Sequence, residues 1–380
     1  MKLTKNKHRA HIVKKLKKDK IFWGLICFIF ILQLLTYPSI HHIVSDETLY
    51  LEVGKGICDG NFTYFVGEAE KPVHTPIFPT LLCLTSSIHN FNLERAEIVN
   101  YSFFILMIIV WYFSLPESLK VDKKKFVLLL FANNLLWIYS MRVLTDIPVA
   151  FFLSLGILHM YLYFEYSKRR NYYLGVVLLS LGILTKENSL IYLPILSAYL
   201  ILKGIKNSKK ILLLATPLIP YLILLLGQYS TGYDVLKPYK LNIQGFDFSF
   251  IPYADLPVFI YMIGAFGVGI ASFLVVLKNV KKVRIEFRKF VLFFIIMYLV
   301  WELFYAFIIT ASVPRYHLTL IPFFSLIISE TGKMDGWMKR VYYLTLVYIL
   351  ITGFLAAYYF HVSTEAIWKV AFKELITHNF

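Results

Sequence analysis

Residues 142–188 read RVLTDIPVAFFLSLGILHMYLYFEYSKRRNYYLGVVLLSLGILTKEN. Two apolar runs, 147–164 and 172–185, flank the basic turn Lys168-Arg169-Arg170. Each run carries charge at its far end: Arg142 and Asp146 before the first, Lys186 and Glu187 after the second. The runs are continuous rather than alternating, which suits helices and not barrel strands. A helix needs about 20 mostly apolar residues to cross a bilayer, where no water satisfies the backbone. The stretch therefore predicts a hairpin of two membrane helices, basic at its turn and mixed in charge at its open end. Pro148 fits the first turn of its helix, where a missing N–H costs nothing.

The same pattern extends in both directions. The chain has 380 residues, 58% apolar and 16% charged, with 33 Phe and 27 Tyr. Its mean hydropathy is +0.64. A water-facing globule of this size cannot hide so much apolar surface. That excludes a soluble enzyme, a disordered protein and a large extramembrane domain. Cys27, Cys58 and Cys83 suggest no metal or disulfide framework: Cys27 and Cys83 fall in apolar runs, and only Cys58 looks wet.

The expected fold is an all-α polytopic membrane protein of about eleven spans. These lie near 21–39, 96–115, 126–141, 147–164, 172–185, 189–203, 211–227, 257–277, 290–309, 316–330 and 341–360. Pro76 to Ile88 is too short to span and carries two prolines, so it is expected as an interfacial helix. The basic lead is long and no small-residue cleavage site follows Pro38, so the first span is not read as a cleaved signal. The layout is a basic cytoplasmic segment 1–20, a transmembrane module 21–360 with outer loops 40–95 and 228–256, and a short outer tail 361–380.

Charge tests that layout. Of 39 Lys and Arg, 29 fall in the loops that eleven spans place on the N-terminal side. This is the positive-inside pattern. The net charge of +16 is therefore a topology signal and an anchor to anionic lipid heads, with no nucleic-acid partner expected. It makes the chain a multi-pass cell-membrane protein with its N-terminus cytoplasmic and its C-terminus extracytoplasmic.

The opposite face collects residues that can do chemistry. Asp46-Glu47 follows the first span and suits general base work on a hydroxyl, or simply helix capping. Glu70-Lys71-Pro72-Val73-His74 puts a lysine at headgroup depth, suited to a phosphate or to snorkelling. Glu70 and His74 also leave a divalent metal open, although none is required. Arg142 and Asp146 sit in a tight turn, as a site or as a cap and a surface pair. Lys186-Glu187 occupies another outer turn, and Arg315-Tyr316-His317 a third. Within the spans, Glu302 is a mid-membrane acid, and Asn133 and Asn134 are expected as interhelix contacts.

Taken together, Asp46-Glu47, Glu70-Lys71-Pro72, Thr145-Asp146-Ile147-Pro148, Thr185-Lys186 and Arg315-Tyr316 make the chain resemble the GT-C class of lipid-phosphate-sugar glycosyltransferases. The nearest branches by resemblance are the protein O-mannosyltransferases and the aminoarabinose transferase of lipid A. The order of motifs covers about residues 20–330. Val73 stands where that class often has a second proline, and no large soluble domain follows the spans.

The resemblance implies a GT-C module that moves a sugar, for example mannose, from a polyprenyl phosphate (dolichyl or undecaprenyl) to a hydroxyl on a lipid, glycan or protein acceptor. Transfer would be an inverting single displacement on the extracytoplasmic face. Asp46 would be the base, with Glu47 beside it and Asp146 as a second active-site carboxylate. Lys71, Arg315 and Lys186 would hold the donor phosphate, with Arg142, His74, Glu187 and Tyr316 around them. A transporter or lipid flippase, or a lipid-diphosphate-glycan ligase or polymerase, is the alternative. A transporter predicts inverted repeats and broken midplane helices, and no repeat is evident.

Overall fold

The computed structural model describes residues 20–36, 45–61, 75–119, 121–202, 212–230, 318–329, 336, 339–352 and 355. Their architecture is helical: α1 (Lys20–Thr36), α2 (Ser45–Cys58), α3 (Ile77–Leu84), α4 (Ser86–His89), α5 (Leu93–Ser114), α6 (Lys123–Ala132), α7 (Asn134–Ser140), α8 (Asp146–Tyr166), α9 (Arg169–Thr185), α10 (Tyr192–Leu202), α11 (Ile219–Ser230) and α12 (Ile321–Ile328). A last helical run, α13, covers 339–352.

Among the described residues, α5 and α8 are long and apolar enough to cross a membrane. The expected spans at 257–277 and 290–309, Glu302, the segment 1–19 and the tail 361–380 lie outside the described residues. The count of eleven stays an expectation.

The hairpin of 142–188 forms as two packed helices, of which α8 is long and apolar enough to cross a membrane. Helices α8 and α9 are joined by a short turn in which Ser167 takes a left-handed φ of 53°. They pack closely because small residues face large ones. A Cβ on Gly182 would lie 2.6 Å from Leu153, and one on Gly175 2.6 Å from Met160. Such small-residue seams let membrane helices approach where no hydrophobic drive exists between them. Helix α8 is buried along nearly its whole length, and the core around it draws on α5, α6, α9 and α10. Trp111 Nε1 donates to Ser154 Oγ at 3.0 Å, pinning α5 to α8.

The expected span at 126–141 is broken. Asn133 ends α6 and caps α7, its Oδ1 accepting the Leu136 N–H at 3.1 Å. Asn133 is thus a local cap rather than the interhelix contact expected of it. The interhelix bond at this break comes instead from Gln33 on α1, whose Nε2 donates to Phe131 O at 2.8 Å. A neighbouring helix satisfies the carbonyl that the broken helix leaves behind.

The segment Pro76 to Ile88 is helical, as α3 and the start of α4, and α3 lies against α2. Gly54 permits this contact: a Cβ there would sit 3.0 Å from Leu82 Cβ and 3.1 Å from Pro79 O. A disulfide between Cys58 and Cys83 ties the same pair. The expectation that the cysteines make no disulfide is therefore corrected. Cys83 sits in an apolar run, but its turn of α3 faces the end of α2, where Cys58 lies.

Candidate active site

Helix α2 begins at Ser45, so Asp46 and Glu47 occupy its first turn. The fold carries this end of α2 to the turn between α7 and α8. Glu47 is 2% exposed and is held on both oxygens. Arg142 Nε donates to Oε1 at 2.9 Å and Arg142 Nη2 to Oε2 at 3.3 Å, while the Val143 N–H donates to Oε1 at 3.0 Å. This is the fork geometry that suits guanidinium to a carboxylate. The Arg142–Asp146 surface pair expected as one option does not form. Arg142 lies in a turn, where helical i,i+4 spacing does not bring side chains together.

Asp146 opens α8 and is 4% exposed. Its Oδ1 accepts from Lys186 Nζ at 2.8 Å. The capping alternative assigned Asp146 to its own helix, but its carboxylate reaches across to the end of α9. The Asp146 side chain is nearly closed to solvent and that of Lys186 is 16% exposed, so the pair is largely buried.

These two acid–base pairs are neighbours by construction. Asp146 lies four positions after Arg142, a chain length of about 14 Å at most. A third link comes from just before α3. Thr75, 4% exposed, donates its hydroxyl to Thr185 O at 2.9 Å. That carbonyl belongs to the last turn of α9, whose carbonyls lack helical partners. Thr75 is therefore held against the end of α9 that precedes Lys186.

The structure thus brings Glu47, Arg142, Asp146 and Lys186 to one end of the helices. The basic turn Lys168-Arg169-Arg170 lies at the other end of the α8–α9 hairpin. The Asp46 backbone lies beside Glu47 at the start of α2. Glu187 begins the short 3-10 turn that follows Lys186. Glu70, Lys71, His74, Arg315 and Tyr316 lie outside the described residues. No group of three or more His, Cys, Asp or Glu able to hold a metal occurs among the described residues.

Three contributors were missed from sequence: Thr75, Asn100 and the Cys58–Cys83 pair. Asn100 is fully buried in α5, and its Nδ2 donates to Arg142 O and, at 2.6 Å, to Leu144 O. An asparagine inside an apolar helix was the one available signal for it. The cysteine spacing alone could not pair Cys58 with Cys83.

Comparison with known proteins gives the family. The model of the ALG3 protein family matches residues 59–249, half of the chain. No curated protein and no solved structure matches it. The matched stretch contains Asn100, Arg142, Asp146 and Lys186 and stops short of Asp46 and Glu47. The match is to a mannosyltransferase family of GT-C type, not to the O-mannosyltransferase or lipid A branches. Its members work in the endoplasmic reticulum membrane, with a lipid-linked donor and a lipid-linked oligosaccharide acceptor. The chain belongs to the ALG3 protein family and is a membrane glycosyltransferase that draws its sugar from a dolichyl-phosphate donor.

Proposed function

We propose that this chain transfers mannose from dolichyl-phosphate mannose to a hydroxyl of a lipid-linked oligosaccharide at the lumenal boundary of the membrane, in one inverting displacement. The acceptor oxygen bonds to the anomeric carbon as the carbon–phosphate oxygen bond breaks. The dolichyl phosphate leaves with the electron pair, and the acceptor proton passes to Asp46. Negative charge grows on the leaving phosphate, and cations fixed in a partly dry site stabilise it more in the transition state than before it. Lys186, oriented by Asp146, is one such cation; Lys71 and Arg315 are the others proposed. Asp146 also orients the sugar or the acceptor. Glu47, clamped by Arg142, sets where Asp46 stands.

The observation that carries this reading is the joining of Glu47 to Arg142 across 95 positions of sequence, with the Asp146–Lys186 pair four residues further on. Two facts support the lumenal side. Basic residues crowd the opposite loops, and disulfides such as Cys58–Cys83 form in oxidising compartments.

The test is transfer of radiolabelled mannose from dolichyl-phosphate mannose to a lipid-linked oligosaccharide by purified protein in liposomes. The reading expects a covalent product with inverted anomeric configuration. Passage of lipid across the bilayer without a product would replace it with a transport function. The scheme uses cations rather than a metal, so EDTA should leave the rate within about twofold.

A further inference from the structure

The turn between α7 and α8 does three things in five residues. It delivers the Arg142 guanidinium to Glu47, an amide N–H to the same carboxylate, and Asp146 to Lys186. Its own shape is held from α5. Asn100 Nδ2 has two hydrogens, and two carbonyls accept them: Arg142 O and Leu144 O. Its Oδ1 is buried and has no hydrogen-bond partner among the described residues, so Asn100 acts here as a donor.

The two bonds meet at one peptide group. The carbonyl of the Arg142–Val143 peptide accepts from Asn100, and the N–H of that same peptide donates to Glu47 Oε1. A single peptide plane therefore stands between the Asn100 amide and the Glu47 carboxylate. Hydrogen bonds in series polarise and orient one another. The second bond, to Leu144 O, fixes the backbone two residues before Asp146.

We propose that Asn100 is a positioning residue for the transfer reaction: through the Arg142–Val143 peptide it fixes Glu47, and so the start of α2 with Asp46, and through Leu144 it fixes the start of α8 at Asp146. The proposal rests on the function proposed above. Asn100 acts through these backbone groups. It decides how accurately the base and the second carboxylate face each other, a matter to which rate is steeply sensitive.

Asn100→Asp tests it with almost no change of size, because a carboxylate cannot donate to either carbonyl. Asn100→Ser keeps one donor. In liposomes carrying the full chain, Asn100→Asp should lower kcat about 100-fold and Asn100→Ser about tenfold, the KM for dolichyl-phosphate mannose staying within about twofold. Amide exchange over 141–146 should quicken in both variants while that of α8 and α9 stays as in the wild type.

Wild-type exchange over 141–146 in Asn100→Ser overturns the proposal, as does a kcat in Asn100→Asp within about threefold of wild type. So does a loss in which kcat and KM move together and exchange rises along the whole chain. If Asn100→Asp does not fold, Asn100→Ser alone decides by the same two readouts. A wild-type chain that transfers no mannose sinks the function reading instead, and the exchange measurement still judges Asn100.

Discussion

Arg142 meets Glu47 where both are nearly closed to water, their side chains being 9% and 3% exposed. A buried pair of this kind is worth little against an apolar replacement, but removing one partner strands the other charge. Arg142→Ala should therefore cost about 3–5 kcal/mol of stability, and the double variant Glu47→Leu, Arg142→Met distinctly less. Thermal unfolding in detergent compares them, and equal losses would contradict the buried pair. Such pairs were only half legible in the sequence. The charged turns marked Glu47, Arg142, Asp146 and Lys186 as candidates. The partners were not legible, because they are joined across 95 and 40 positions and no local spacing reports that.

His89 is a second residue with a consequence. It is fully buried, and the Leu82 carbonyl and the Phe91 N–H, each at 3.0 Å, face its two ring nitrogens. The Phe91 N–H donates to Nδ1, so Nε2 carries the proton and donates to Leu82 O. Burial lowers the His89 pKa below its ordinary 6.5, against the Leu82 bond, which raises it. The folded value lies below the unfolded one. His89 therefore stabilises the fold fully above the unfolded pKa, and that contribution is lost as pH falls through the folded value. Melting curves from pH 7.5 to 5 should fall more steeply for wild type than for His89→Gln; parallel curves would contradict this.

At the scale of elements, α2 and α3 are built as a stapled pair. Helix α2 carries Asp46 and Glu47 at one end and Cys58 at the other, where the disulfide fixes it to α3. The bridge closes 25 positions of chain. By chain entropy, that is worth about 3 kcal/mol. Cys58→Ser should lower the melting temperature and also the transfer rate, because α2 then holds its acidic end less firmly. A lowered melting point with an unchanged rate would separate the staple from the site.

The helices themselves were largely legible, since α5, α8 and α9 follow long apolar runs closed by charged or basic turns. The break at Asn133 was not. Residues 126–141 read as one apolar run, and only the side chain of Asn133 capping α7 divides it. The disulfide escaped for a related reason: hydropathy placed Cys83 in an apolar run, but helix direction, not hydropathy, decides what it faces.

For the whole molecule, the claim is that one end of a membrane helix assembly gathers carboxylates and cations into a sugar-transfer site. The most direct measurement is the rate of single-turnover mannose transfer from dolichyl-phosphate mannose by the liposome-reconstituted chain, with Asp46→Asn set beside the wild type. The account predicts transfer by wild type and a loss of at least about 1,000-fold in the variant, with donor binding retained. Transfer by Asp46→Asn at the wild-type rate would contradict it.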